Sequence, residues 1–246
     1  MRLTVLGCSG PFAAPGGACS SYLVEHEGHR LLMDCGPGAL GRLEEICSIG
    51  QLDAIVLSHL HYDHMSDLFS GMYNLQQLRA AGAVSAPLAL LLPDEPAGLR
   101  GQLAAGGAFV PASLDELSRK DGCSVGGMRL SFMPVRHPLP AFAVKVQAGG
   151  RTLVYTGDTN TCPGLDGFCR GADLLLCDVG LTRAAWSEGA PHLSAALGGQ
   201  LARDAGVRAL LGTHVHPRAD RAALLAELRE CFPQARLAEQ GMTVEV

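Results

Sequence analysis

The sequence predicts an α/β fold in which two sheets pack face to face with helices on the outside. Three observations carry that expectation. Short apolar segments alternate with helix-length stretches from one end of the chain to the other. Of the 246 residues, 48% are hydrophobic and only 17% are charged, enough to bury a sizeable core. Histidine and aspartate residues recur just beyond the apolar segments, where strand ends would gather them.

In chain order, strands are predicted at 2–6, 20–25, 30–34, 53–57, 88–92, 128–134, 141–147, 151–156, 173–177, 207–212 and 242–246. Helices are predicted at 38–48, 66–81, 97–105, 163–170, 193–205 and 218–231, and glycine or proline punctuates the boundaries. His26 and His29 flank Glu27-Gly28, which reads as a hairpin turn, so both are expected at the solvent surface. Asp53-Ala54-Ile55-Val56-Leu57 is an apolar, β-branched run, and Leu130-Ser131-Phe132-Met133-Pro134-Val135 is strand-like. The Gly- and Ala-rich region 94–113 reads as a surface excursion. The second part of the chain repeats the alternation of the first. No linker, low-complexity tract or strong repeat divides it, so residues 1–246 are expected to form one domain.

Composition narrows the setting. The segment Met1-Arg2-Leu3-Thr4-Val5-Leu6-Gly7 lacks the long apolar stretch of a signal peptide, and no apolar run approaches bilayer length. Nine cysteines without a C-x-x-C pair suit free thiols in a reducing compartment, so a cytoplasmic location is expected. A net charge of −5 argues against broad nucleic-acid binding while allowing a small anionic substrate held by metals.

The densest chemistry lies in Ser58-His59-Leu60-His61-Tyr62-Asp63-His64, directly after the run that ends at Leu57. Neutral imidazole and carboxylate oxygen suit zinc and neighbouring divalent metals, and so many donors on one turn exceed what a single ion readily uses. A two-metal site is the natural reading. His59 and His61 can converge from an extended turn on one ion, with His137, before Pro138, as third partner. Asp63 and His64 suit a second ion that His214 could complete, and Asp158 offers two oxygens to bridge both. Taken singly, each is as readily a cap or turn residue; their common place at strand ends argues against coincidence.

The pattern His59-x-His61-x-Asp63-His64, then His137, Gly157-Asp158-Thr159 and Thr213-His214, resembles the metallo-β-lactamase superfamily over almost the whole chain. The resemblance implies a four-layer αβ/βα sandwich with His59, His61 and His137 at one metal, Asp63, His64 and His214 at the other, and Asp158 as the bridge. Histidine rather than glutamate at position 61 is similar to the zinc hydrolases more than to the di-iron oxygen-reducing branch. Two divalent ions are implied, zinc first, with manganese or iron as alternatives.

Gly7-Cys8-Ser9-Gly10, Met33-Asp34-Cys35-Gly36 and Pro191-His192-Leu193-Ser194 resemble the ribonuclease Z-like phosphodiesterase branch. By that resemblance His192 approaches the substrate phosphate and Asp178 orients it, although the family often has glutamate at that place. Asp63, His192 and Asp178 are therefore the expected catalytic set. A carboxylate beside an imidazole fixes its tautomer and keeps its pKa high enough to donate a proton. The tRNA-processing members carry a long arm between the places of His137 and Asp158, but residues 138–157 are consumed here by two strands and a turn.

The expected function is a dinuclear metal-dependent phosphodiesterase that acts on a small or cyclic phosphodiester through a metal-bridging hydroxide. Its partner would be a small anionic substrate rather than a long nucleic acid. Hydrolysis of a carboxylic ester, lactone or thioester is the alternative, ahead of tRNA 3′-end cleavage and iron-dependent redox chemistry. His216 is a weak outer-site candidate, and Cys8 and Cys35 read as small packing residues near the site. Trp186 is expected either to wall the substrate pocket or to make a core or dimer contact, the latter being compatible with a homodimer.

Overall fold

The computed structural model describes residues 1–246. The first half of the chain forms β1 (Arg2–Gly7), β2 (Ser21–His26), β3 (His29–Met33), α1 (Ala39–Glu44), β4 (Ala54–Val56), α2 (Tyr62–Met65), α3 (Asp67–Ala80), β5 (Leu88–Leu92), α4 (Ala97–Ala105) and β6 (Phe109–Ser113). The second forms α5 (Leu114–Arg119), β7 (Cys123–Val125), β8 (Met128–Val135), β9 (Ala141–Ala148), β10 (Arg151–Tyr155), α6 (Leu165–Cys169), β11 (Leu174–Asp178), α7 (Ala195–Asp204), β12 (Leu210–Thr213), α8 (Arg221–Cys231) and β13 (Arg236–Leu237). A last strand, β14 (Thr243–Glu245), returns to the first half.

There are two seven-stranded sheets, ordered β14-β1-β2-β3-β4-β5-β6 and β13-β12-β11-β10-β9-β8-β7. Each combines antiparallel neighbours with a parallel run, β3 to β6 in one and β10 to β13 in the other. The inner faces meet in a core that includes Val5, Tyr22, Met33, Val56, Phe132, Val144, Tyr155 and Leu176. The outer face of the first sheet packs on α1, α3 and α4 through Leu32, Ile55, Leu43, Leu75 and Leu103. Val154, Leu175, Ala202, Leu224 and Leu228 close the corresponding layer of the second. The order is helix, sheet, sheet, helix: the four-layer αβ/βα sandwich. Because the central parallel strands β4, β5, β11 and β12 are buried on both faces, they read as continuous apolar runs rather than as alternation.

Local signals explain the boundaries. The β2–β3 hairpin turns at Glu27 (φ 50°) and Gly28 (φ 84°), both in the left-handed region that a two-residue hairpin turn requires. Ser113, Ser194 and Asp220 accept N–H groups from the first turns of α5, α7 and α8. The helix predicted over 38–48 stops at Glu44, and the chain then makes a short 3₁₀ turn at Ile49–Gln51 capped by Ser48.

The helix predicted over 97–105 is α4, but the expectation that 94–113 is only a surface excursion fails at its end: β6 extends the first sheet in parallel register from Leu88↔Phe109 to Leu92↔Ser113. Pro111 masks this strand in the sequence; a residue without an N–H is tolerated because β6 lies at a sheet edge. The short strands β7 and β13 and the helix α5 were also not anticipated. At two or three residues, β7 and β13 carry too few positions to show a period.

The topology brings the carboxyl ends of β3 and β4 opposite those of β10, β11 and β12. Open α/β sheets bind their ligands at such ends.

Candidate metal centre

Asp34 follows β3 with φ 58°, a conformation few residues other than glycine adopt. The turn aims its fully buried carboxylate under the neighbouring strand's end. Oδ1 accepts the Ser58 N–H at 2.7 Å, while Oδ2 accepts the Ser58 and Tyr155 hydroxyls at 2.8 and 2.9 Å and faces His64 Nδ1 at 2.7 Å. Four donors thus surround one carboxylate, which offsets the cost of burying it.

These contacts decide tautomers. Ser58 spends its only hydroxyl proton on Asp34, so at the 3.1 Å contact with His59 Nδ1 the imidazole donates. His59 Nε2 is then a bare lone pair. His137 Nδ1 donates to the Pro191 carbonyl at 3.0 Å, which bares His137 Nε2 as well. Both Nε2 atoms lie 3.0 Å from His61 Nδ1. At most one proton can sit on that nitrogen, so one of the two contacts sets lone pair against lone pair. Two nitrogens bound tetrahedrally at zinc distance are about 3.3 Å apart, so the separation suits a shared cation.

The second cluster is built from Asp63, His64 and His214. His64 Nε2 is 3.2 Å from Asp158 Oδ2 and 3.6 Å from Asp63 Oδ2, and His214 Nε2 is 3.8 Å from Asp63 Oδ2. Asp158 stands between the clusters, with Oδ2 3.7 Å from His59 Nε2 and Oδ1 3.2 Å from His214 Nδ1. Asp63 Oδ2, His64 Nε2 and Asp158 Oδ1 are buried without any hydrogen-bond partner. Three orphaned polar atoms converging on one region are costly unless a cation satisfies them. The donor set therefore fits metal ions, with His59, His61 and His137 able to hold one and Asp63, His64 and His214 another.

Protonation agrees. Burial, reinforced by the neighbouring imidazoles, lowers His59 and His214 well below the usual histidine value; burial also lowers His61 and brings His137 down to about 4. Lowered in this way, the rings favour the neutral form in which an imidazole nitrogen can accept a metal ion. His64 differs: burial opposes its charge, but Asp158 and Asp34 on either side outweigh burial and raise it well above the usual range. A proton and a metal ion compete for that Nε2. Burial pushes the Asp158 carboxyl up to about 6 against the pull of His64.

Two close approaches make room for these side chains. Gly157, with φ 59°, turns the chain from β10 to Asp158, where a Cβ would stand 2.8 Å from Phe142 O. At Gly10 a Cβ would fall 2.0 Å from the His214 ring, so only glycine lets that ring enter. His214 itself holds φ 57°, a second strained residue at the centre.

At the rim, Asp178 ends β11 fully buried and accepts the Thr159 and Gly180 N–H groups at 3.1 and 3.0 Å. His192 Nδ1 lies 2.9 Å from its Oδ2. Burial alone would lower His192; the charge and hydrogen bond of Asp178 outweigh it and carry His192 up to about 9. The His192 ring is 20% exposed and lines a cavity of about 360 Å³ with His61, Tyr62, Asp63, His137 and Asp158. All eight predicted site residues outside Asp178 belong to one connected group, and Asp178 touches it through His192.

The β-lactamase superfamily domain matches residues 29–215. The chain belongs to the β-lactamase superfamily. It is a metal-dependent hydrolase of that superfamily. It is 33% identical to an uncharacterized protein of Mycobacterium leprae, over 94% of this chain and 84% of that one. The crystal structure of the metallo-β-lactamase fold protein YhfI from Bacillus subtilis superposes with a TM-score of 0.93 at 26% identity, covering 99% of this chain and 98% of YhfI. A ribonuclease Z of Bradyrhizobium diazoefficiens is 28% identical over 294 aligned positions, covering 96% of each chain. That alignment is longer than this superfamily member's 246 residues, so the ribonuclease carries insertions absent here.

The remaining candidates fall outside the centre. His29 is exposed and meets Asp53 at 3.0 Å, and His26 lies beside Glu27. His216 accepts the Arg218 N–H at 3.0 Å and packs edge-on against Phe12. Cys8 turns to Ala238 O, and neither Cys8 nor Cys35 joins a ligand cluster. Trp186 donates to Asn160 Oδ1 at 3.0 Å. Sequence reasoning missed the roles of Asp34 and Asn160. Asn160 is buried and its Nδ2 holds the carbonyls of Ser187, Glu188 and Ala190, fixing the strap that leads to His192. No local sequence signal marks Asp34, because its contact with Ser58 depends on the parallel pairing of β3 with β4, Met33 opposite Val56.

Proposed function

We propose that the chain acts, as one domain over residues 1–246, as a dinuclear phosphodiesterase on a small or cyclic phosphodiester. His59, His61, His137, Asp63, His64, His214 and Asp158 would hold two divalent ions, zinc first. When bound, such ions neutralise phosphoryl oxygens and make a water acidic enough to attack near neutral pH. The observation that carries the phosphodiester reading is the Asp178–His192 pair at the cavity edge.

Asp178 locks His192 Nδ1 and keeps the ring charged, so the remaining Nε2–H is available to the leaving oxygen. An imidazolium there also balances the negative charge that grows on a departing alkoxide. Asp63, shared between the ligand cluster and the cavity wall, would orient the attacking water. Pro138 and Pro191 line the cavity, and the interval from His137 to Asp158 contains only β9, β10 and their turn. Without an arm there, long RNA has little to hold it.

The test is hydrolysis of bis(p-nitrophenyl) phosphate by the purified protein. Activity is expected to disappear on chelation and return with zinc or manganese, while precursor tRNA remains a poor substrate. Rapid turnover of lactones or thioesters with no diester activity would transfer the same centre to carbonyl chemistry. Efficient tRNA processing would contradict the small-substrate reading.

A further inference from the structure

A concentration of unpaired positive charge lies away from the metal centre, where α8 crosses the closing segment of the chain. Arg221, Leu225 and Arg229 of the helix face Arg236, Leu237 and Glu239 across a cavity of about 340 Å³. The spacing produces it, because residues four apart on a helix share a face. The acids of the same helix are engaged elsewhere: Glu227 accepts the Arg183 N–H at 2.7 Å, and Glu230 pairs with the Arg183 guanidinium.

Two of the arginines are held in place by backbone. Arg221 Nη2 donates to Ala238 O at 3.0 Å and Arg229 Nε to Ala235 O at 2.9 Å. Each retains further N–H groups for another partner. None of the three guanidiniums is in an ion pair, and Glu239 is the one carboxylate on the wall, so three positive charges face one negative. Leu225, Leu237 and Met242 supply an apolar side to the same space.

Guanidinium forks recognise oxyanions through paired hydrogen bonds, and the volume is that of a small-molecule site. We propose that this cavity is a second binding site, separate from the metal centre, for a small phosphate ester: the arginines take the phosphate and the apolar wall takes its organic group. Substrate hydrolysis plays no part in this inference, so it stands or falls apart from the proposed activity.

The experiment is a titration of the metal-loaded protein with inorganic phosphate at constant ionic strength, followed by amide resonances in ¹H–¹⁵N spectra. Saturable shifts are expected at Ala222, Leu225 and Leu237, resolved from any at Tyr62, Asp63 and Asp158. Arg229→Gln combined with Arg236→Gln should weaken the first set by at least about tenfold and leave the second unchanged. Arg236→Gln alone, at a residue whose side chain holds no backbone carbonyl, should weaken it by a smaller factor and preserve the fold. Shifts at Ala222, Leu225 and Leu237 that fail to saturate, or that keep wild-type affinity in the double variant, would overturn the proposal.

Discussion

Asp34 after β3 and Asp178 at the end of β11 occupy similar places in the two sheets, each buried, each saturated by hydrogen bonds and each gripping a histidine through Nδ1. What differs is the direction of the free nitrogen. His64 is fully buried, and its Nε2 meets Asp158 and Asp63, whereas His192 reaches the cavity. In the proposed function one carboxylate–imidazole pair would prepare a ligand and the other an acid. The comparison teaches that the pair itself is neutral as to function; the groups beyond the second nitrogen decide it.

The sharpest break of that comparison removes what His64 faces. Asp158→Ala is expected to abolish diester hydrolysis and to disturb both metal positions, lowering metal below two ions per chain by elemental analysis. Full occupancy in that variant would show that Asp158 is no bridge.

A smaller effect should follow from loosening the grip on the ligand. Asp34→Asn leaves the shape of the side chain but removes its charge from Ser58, Tyr155 and His64. Metal affinity is expected to fall roughly 10–100-fold, read by competition with a chromogenic chelator, while saturating metal restores most of the rate. An unchanged affinity would separate Asp34 from the centre.

The equivalent change on the other side should spare the metals and alter the pH profile. With His192 held up at about 9, it keeps its proton below that value and loses it above. A rate that needs the proton therefore falls as pH rises through that region. Asp178→Asn removes the charge that raises His192, so the alkaline limb should move to lower pH with unchanged metal content. A limb that stays in place would mean that another group reports there.

Much of this centre was legible because its first half is contiguous: His59, His61, Asp63 and His64 fall on one turn after an apolar strand. His137, Asp158, Asp178, His192 and His214 are scattered: the parallel run aligns the ends of β10, β11 and β12 that carry Asp158, Asp178 and His214, while the antiparallel β8 and the loop before α7 bring in His137 and His192. Asp34 was harder to read since its importance depends on strand pairing and on a positive φ, neither of which has a local period. The edge strand β6 escaped for the opposite reason, its Val110 and Pro111 looking like a loop when only one side of the strand must bond.

The most direct measurement of the division between ligand and acid sets His64→Ala beside His192→Ala, with metal content and kcat determined for one diester bearing a p-nitrophenolate leaving group and one bearing an alkoxide. His64→Ala should lose metal and fail on both substrates. His192→Ala should retain two ions per chain and lose kcat by roughly 10²–10⁴-fold on the alkoxide, and by much less on p-nitrophenolate, whose departure needs little help from a proton. Loss of metal from His192→Ala, or near-wild-type rates on both diesters, would contradict the account.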